Sequence, residues 1–252
     1  ILRTHMVQTN EVRRSAVLMP AFAAVAEEGG GPLALFEIGP SAGLNLNFDR
    51  YTYDYGGHRI GDESPVVLES DPRGNPPRAA IPAVASRMGV DLNPLYPSNA
   101  DDMAWLRALI WPEHTDRLAL LDAAIGVARA HPPELVAGDF RDVLPARIAD
   151  AAPEAVATVF ATFVLNQFPK PLLAELRAML LELSRQRPVY FVVMGFTEFI
   201  EPGHQFLGDT RVWILRLRDG AGEYRHHSTA NPHGRWLELA DGSPWLAWGG
   251  SS

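Results

Sequence analysis

With 252 residues, 47% of them hydrophobic and 21% charged, the chain is long and apolar enough for one large α/β domain, which excludes a stapled mini-protein, a collagen-like chain and wholesale disorder. It contains no cysteine, so disulfides, thiolate nucleophiles, iron–sulfur clusters and Cys-ligated zinc are excluded. The formal net charge is −8 and all but one of the 22 basic residues are scattered arginines, a composition that argues against a nucleic-acid groove.

The single lysine, Lys170, stands between Pro169 and Pro171, a solvated setting unsuited to Schiff-base chemistry. No run approaches the roughly eighteen apolar residues of a membrane span. Residues 1–6 lack the charged and apolar regions of a secretory signal, so no membrane partner and a cytoplasmic location are expected. The chain begins Ile1-Leu2-Arg3 rather than at methionine, and a preceding segment in contact with it is expected.

Residues 11–28 place Val12, Ala16, Met19 and Phe22 at helical spacing, with an interruption expected near Pro20. Gly29-Gly30-Gly31-Pro32 ends that helix, and Leu33-Ala34-Leu35-Phe36-Glu37-Ile38 reads as a buried parallel strand. Gly39-Pro40-Ser41-Ala42-Gly43 is a turn, and residues 44–48 open a second helix. Residues 51–75 alternate Tyr51, Tyr53 and Tyr55 before Gly56-Gly57 and a strand-like Val66-Val67-Leu68, an inserted β-hairpin expected to expose one aromatic face.

Residues 84–91 read as a strand stopped by Asn93-Pro94. Ser98 is expected to cap a helix bearing Asp101 and Asp102 in its first turn, and a further helix spans 115–130. Strands follow at 135–139 and 155–164, an amphipathic helix at 172–183 and a fifth strand at 189–194. Residues 212–217, a turn at Asp219-Gly220-Ala221-Gly222, and residues 224–227 and 236–239 make an antiparallel finish. The expected fold is a single α/β domain. It is a doubly wound, mostly parallel Rossmann-like sheet with helices on both faces, an antiparallel C-terminal edge and the inserted hairpin.

Ligands of such sheets lie outside the carboxyl ends of the strands. There, Glu37-Ile38-Gly39-Pro40-Ser41-Ala42-Gly43 resembles the first motif of class I S-adenosylmethionine-dependent methyltransferases, with Ser41 in place of the middle glycine. The resemblance implies a turn of small residues that lets the cofactor approach the backbone at Gly39, Ser41 and Gly43, and a helix start that offers N–H groups to its carboxylate. Glu37 would then orient the loop and face the ammonium or sulfonium region. The same pattern implies that Asp91 accepts from ribose hydroxyls and Asp139 from the adenine amino group. S-adenosylmethionine is the implied cofactor, methyl transfer to a small molecule the implied reaction, and Thr162 and Asn166 the polar groups beside the acceptor. Each residue also has a plainer reading: a tight strand-to-helix turn, a turn-forming Asp91, a helix-capping Asp139.

Gln8-Thr9-Asn10-Glu11-Val12, residues 37–46, Gly89-Val90-Asp91-Leu92-Asn93-Pro94 and Pro232-His233-Gly234-Arg235-Trp236 together look like the bacterial family labelled domain of unknown function 2332. That resemblance implies a methyltransferase-like Rossmann fold preceded by a helical region, and no established reaction. It adds Gln8, Asn10 and Glu11 to the acceptor side of the pocket. Tyr53 of the hairpin and His233 and Arg235 of the last block are expected there too, Arg235 either clamping a carboxylate or supporting the final strands through an ion pair.

Two other functions stay open. Gly39-Pro40-Ser41-Ala42-Gly43 matches the G-x-S-x-G elbow of a serine hydrolase, with Asp139 or Asp209 and then His233 in the required order. A non-catalytic nucleoside-binding module is the other. Leu44 stands where a dinucleotide fingerprint needs its third glycine, and the adjacent His226 and His227 point to opposite faces of a strand, so neither a nicotinamide site nor a metal site is expected.

Overall fold

A computed structural model describes residues 9–195, 199–200 and 210–248. The chain opens with α1 (Ser15–Gly29), β1 (Leu33–Ile38) and a 3₁₀ segment (Leu44–Arg50), followed by β2 (Thr52–Tyr55), β3 (His58–Ile60), β4 (Val67–Glu69) and β5 (Asp71–Pro72). Next come β6 (Val84–Asp91), α2 (Ala100–Ala108), α3 (Thr115–Ala130), β7 (Glu134–Ala137), α4 (Phe140–Ala149) and β8 (Val156–Thr162). The last third holds α5 (Lys170–Leu183), β9 (Val189–Gly195), β10 (Thr210–Arg218), β11 (Ala221–Ala230), β12 (Trp236–Leu239) and β13 (Leu246–Ala247).

The main sheet has the order β5-β12-β11-β10-β9-β8-β1-β6-β7, with β13 paired to β11. Its middle, β9-β8-β1-β6-β7, is wholly parallel, and β10, β11 and β12 extend it antiparallel. From β1 the chain builds outward through β6 and β7, then returns to lay β8 and β9 on the other side of β1. The order therefore reverses between β1 and β8, where a crevice opens at the carboxyl ends. Both central strands are buried along their whole length because helices cover both faces. Leu33 and Leu35 face the layer of α1, α2 and α3, while Ala34, Phe36 and Ile38 face that of α4 and α5. No helix among the described residues is long and apolar enough to cross a membrane.

Four local expectations are corrected. Pro20 does not interrupt α1, whose helical run passes through it. The segment after the glycine turn is a 3₁₀ helix with a kink at Asn47, not an α-helix. Asn99 rather than Ser98 caps α2, its Oδ1 accepting from Asp101 N at 2.9 Å and Asp102 N at 3.3 Å. The hairpin joins β2 to β3 through Gly56-Gly57, both at positive φ as a tight hairpin turn requires, while Val67–Glu69 adds to β2 in parallel.

The tyrosine stripe of that small sheet is buried, not exposed: Tyr51, Tyr53 and Tyr55 lie in the core beside α1. Burial needs a partner for each phenol. Tyr51 donates to Leu44 O, Tyr53 to Phe48 O and Tyr55 to Ala16 O, so the sheet straps the 3₁₀ segment and α1 together.

Candidate functional site

At the carboxyl ends of β1, β6, β7 and β8 lies a cavity of about 370 Å³. Its floor is Gly39 and Ser41. Asp91 and Asp139 stand on the β6–β7 side, Thr162 and Phe163 on the β8 side, and Arg14 lines the cavity against the Phe163 ring. Val90, Leu92, Phe140, Phe168 and Leu172 make the remaining walls largely apolar.

The turn reaches this position through left-handed backbone at Gly39 (φ 69°), Ser41 (φ 55°) and Gly43 (φ 68°). A Cβ on Gly39 would lie 2.6 Å from Val164 Cγ2, and one on Gly43 2.9 Å from Leu135 Cδ2. Val164 thus already demands glycine at position 39, whereas at position 43 the left-handed backbone is the stronger reason, since the tip of Leu135 can shift. Gly43 is not among the residues lining the cavity. The first N–H of the 3₁₀ segment that follows is taken, because Leu44 N donates to Asn10 Oδ1 at 3.1 Å. Asn10 is therefore a capping residue, positioned behind the turn.

Asp91 ends β6 and braces the turn: its Oδ2 accepts from Ser41 N at 3.1 Å and its Oδ1 from Asn93 N at 2.9 Å. Asp139 does cap the following helix, accepting from Arg141 N at 2.9 Å, and it also lines the cavity. Hydrogen bonds from the Arg141 side chain hold its carboxyl below the ordinary range, against partial desolvation. Thr162 lines the cavity at the end of β8, whereas Asn166 is exposed, with its Oδ1 near Gly195 and outside the lining.

Glu37 is 1% exposed and sits behind the turn rather than on the cavity surface. Burial, reinforced by the charge of Asp91, raises its pKa from 4.5 to about 8 against the pull of Arg14 and Asn45, so the carboxyl is largely protonated at pH 7. Its Oε2 has no hydrogen-bond partner among the described residues.

Of the terminal blocks, Thr9 lines the cavity, whereas Asn10, Glu11, His233 and Arg235 do not. Glu11 is buried between Arg117 Nη2 at 2.7 Å and His233 Nδ1 at 3.4 Å. Burial would raise its pKa, but the His233 hydrogen bond and the Arg117 charge hold it below its ordinary value. Arg235 shares Asp116 with Arg13, each at 3.4 Å, the ion-pair alternative of the sequence reading. Tyr53 is in the core, and Gln8 lies outside the described residues, as does Asp209.

Ser41 Oγ is buried without a hydrogen-bond partner, and no histidine among the described residues lines the cavity. Sequence reasoning missed Arg14, Phe163, Gln167 and Phe168, all of which line it. A signal for Arg14 was present: an arginine immediately before the uncharged run Ser15-Ala16-Val17-Leu18-Met19-Pro20 heads a helix whose first half is buried on every side. Phe163 carries no such signal, since its left-handed backbone (φ 62°) is a product of the β8 end itself.

No curated protein and no solved structure matches the chain. A family model described as "Uncharacterized protein conserved in bacteria (DUF2332)" matches residues 1–239, and the chain therefore belongs to that bacterial family.

Proposed function

We propose that the crevice binds S-adenosylmethionine, or its demethylated product, and that the protein transfers a methyl group from it to a small acceptor. The observation that carries this reading is the position of Asp91, at the carboxyl end of the strand beside β1 and on the wall of the cavity. Its two oxygens hold Ser41 N and Asn93 N. A carboxylate at a strand end on the cavity wall is the acceptor type that ribose hydroxyls need. Asp139, one strand further out on the same wall, would accept from the adenine amino group, and Val90, Leu92 and Phe140 would offer apolar faces to the base. Two carboxylates on one wall also suit a cationic sulfonium ligand.

The bound cofactor would supply an electrophilic methyl group. The chain's own contribution is alignment and exclusion of water, which suffices for an acceptor that is already nucleophilic. Thr162 and Gln167, which line the cavity where Asn166 does not, are the polar side chains we assign to that acceptor.

Titration calorimetry with S-adenosylmethionine and S-adenosylhomocysteine, on chain purified free of bound nucleoside, tests the reading. Binding is expected, weakened roughly tenfold or more by Asp91→Asn. Absence of heat at millimolar ligand overturns it. Binding without transfer of labelled methyl to any component of a metabolite extract identifies a nucleoside-binding module instead, and covalent labelling of Ser41 by a fluorophosphonate identifies a hydrolase.

A further inference from the structure

Arg14 is 8% exposed, yet the described residues give its guanidinium only two direct partners. Nε donates to Pro232 O at 3.1 Å, and the guanidinium carbon lies 4.3 Å from the centre of the Phe163 ring. The terminal nitrogens have no hydrogen-bond acceptor among the described residues, and no carboxylate there lies at ion-pair distance from them. The charges of Glu11 and Glu37 act on Arg14 without an ion pair: Glu11 is held by Arg117 and His233, and Glu37 lies behind the turn. Burial lowers the pKa of Arg14 to about 10, which leaves it cationic at pH 7. A mostly buried cation whose terminal donors open on a cavity is suited to an anion from outside the fold.

We propose that Arg14 is a clamp for a monoanionic carboxylate of the ligand, held by its two terminal nitrogens while the Pro232 carbonyl and the Phe163 ring fix the guanidinium plane. A planar fork matches a carboxylate with two parallel hydrogen bonds. A phosphate dianion is disfavoured because Asp91 and Asp139 line the same cavity. The proposal rests on the crevice being the ligand site and is independent of the cofactor's identity. The carboxylate has two possible sources, the amino-acid tail of the cofactor or a separate acid acceptor.

Calorimetry on the full chain separates them. S-adenosylhomocysteine is compared with 5′-methylthioadenosine, which lacks the amino-acid carboxylate, and benzoate with its neutral isostere benzamide. If the tail is the source, the homocysteine compound binds roughly tenfold or more tightly than methylthioadenosine, and Arg14→Gln removes that preference. If an acid acceptor is the source, benzoate binds the wild-type chain in preference to benzamide, and Arg14→Gln removes that preference while leaving the two nucleosides in their wild-type ratio. Arg14→Lys retains part of either preference, because the charge stays and the fork is lost. The wild-type comparisons stand even where a variant fails to fold. Benzoate selectivity without any nucleoside binding supports the clamp and sinks the methyltransferase reading. Nucleoside binding with no carboxylate preference in either pair sinks the clamp and leaves that reading standing. No binding of any of the four probes overturns both.

Discussion

The phenol of Tyr55 donates to the carbonyl of Ala16 at 2.6 Å, the carbonyl that Pro20 leaves without its helical partner because a proline has no N–H. A residue of the small inserted sheet thus completes the hydrogen bonding of α1, which explains how a proline is carried inside a helix buried along its whole first half. Tyr55→Phe is expected to destabilise the chain by about 1–3 kcal/mol, because it orphans a buried carbonyl. In a Pro20→Ala background the restored N–H takes that carbonyl, and the penalty should fall by half or more. Equal penalties in the two backgrounds, measured by urea unfolding, would show that the phenol does not serve this carbonyl.

Glu37 makes stability depend on pH with a defined sign. Its carboxyl binds a proton more tightly folded, at about 8, than at its ordinary 4.5. The stabilisation is therefore complete below pH 4.5 and is lost as pH rises to about 8. Wild-type stability relative to Glu37→Gln should fall by on the order of a few kcal/mol between pH 5 and pH 8. A difference that stays constant across that range contradicts the raised pKa.

Backbone strain and crowding can be separated at two glycines. Gly30 (φ 72°) has nothing within 4 Å of an added Cβ, whereas Gly39 (φ 69°) would press against Val164 at 2.6 Å. Gly30→Ala is expected to cost about 1–2 kcal/mol from the left-handed conformation alone. Gly39→Ala should cost at least 1 kcal/mol more, a typical overpacking penalty. Thermal melts of the two variants, read as paired differences, decide it, and equal costs would mean that Val164 moves aside freely.

Arg235 shares Asp116 with Arg13 at an exposed site, so Arg235→Ala should change stability by about 1 kcal/mol or less. Nucleoside binding by calorimetry should be unchanged. A tenfold loss of binding would place Arg235 back at the ligand.

The legibility of this chain differs between its strands and its site. The strand at 84–91 and the helix at 115–130 are found where their patterns predict them, because each is bounded by local stop signals and each is read from contiguous residues. Asp91 and Asp139 were equally accessible, since a strand end is a local property and a parallel sheet gathers its strand ends on one edge. The meeting of Arg14 with Phe163 was not, because Arg14 stands just before α1 and reaches that ring only when β8 is laid beside β1. His233 and Glu11, far apart in the chain, meet for the same reason.

The tyrosine stripe marks the boundary between the two kinds of knowledge. Alternation of Tyr51, Tyr53 and Tyr55 established from sequence alone that the three rings share one face of a strand, since side chains repeat with a period of two. Whether that face meets solvent or the core is not encoded in the period. It depends on what packs against it, here α1 and the 3₁₀ segment, whose carbonyls the phenols satisfy. Sequence likewise determined that β1 is buried on both faces and ends in a turn of small residues. Only tertiary structure decided that Gly39 answers to Val164, that Glu37 lies beneath the turn, and that Arg14 faces the cavity. Local patterns record the geometry of one segment, whereas desolvation and charge pairing are set by segments brought together from across the chain.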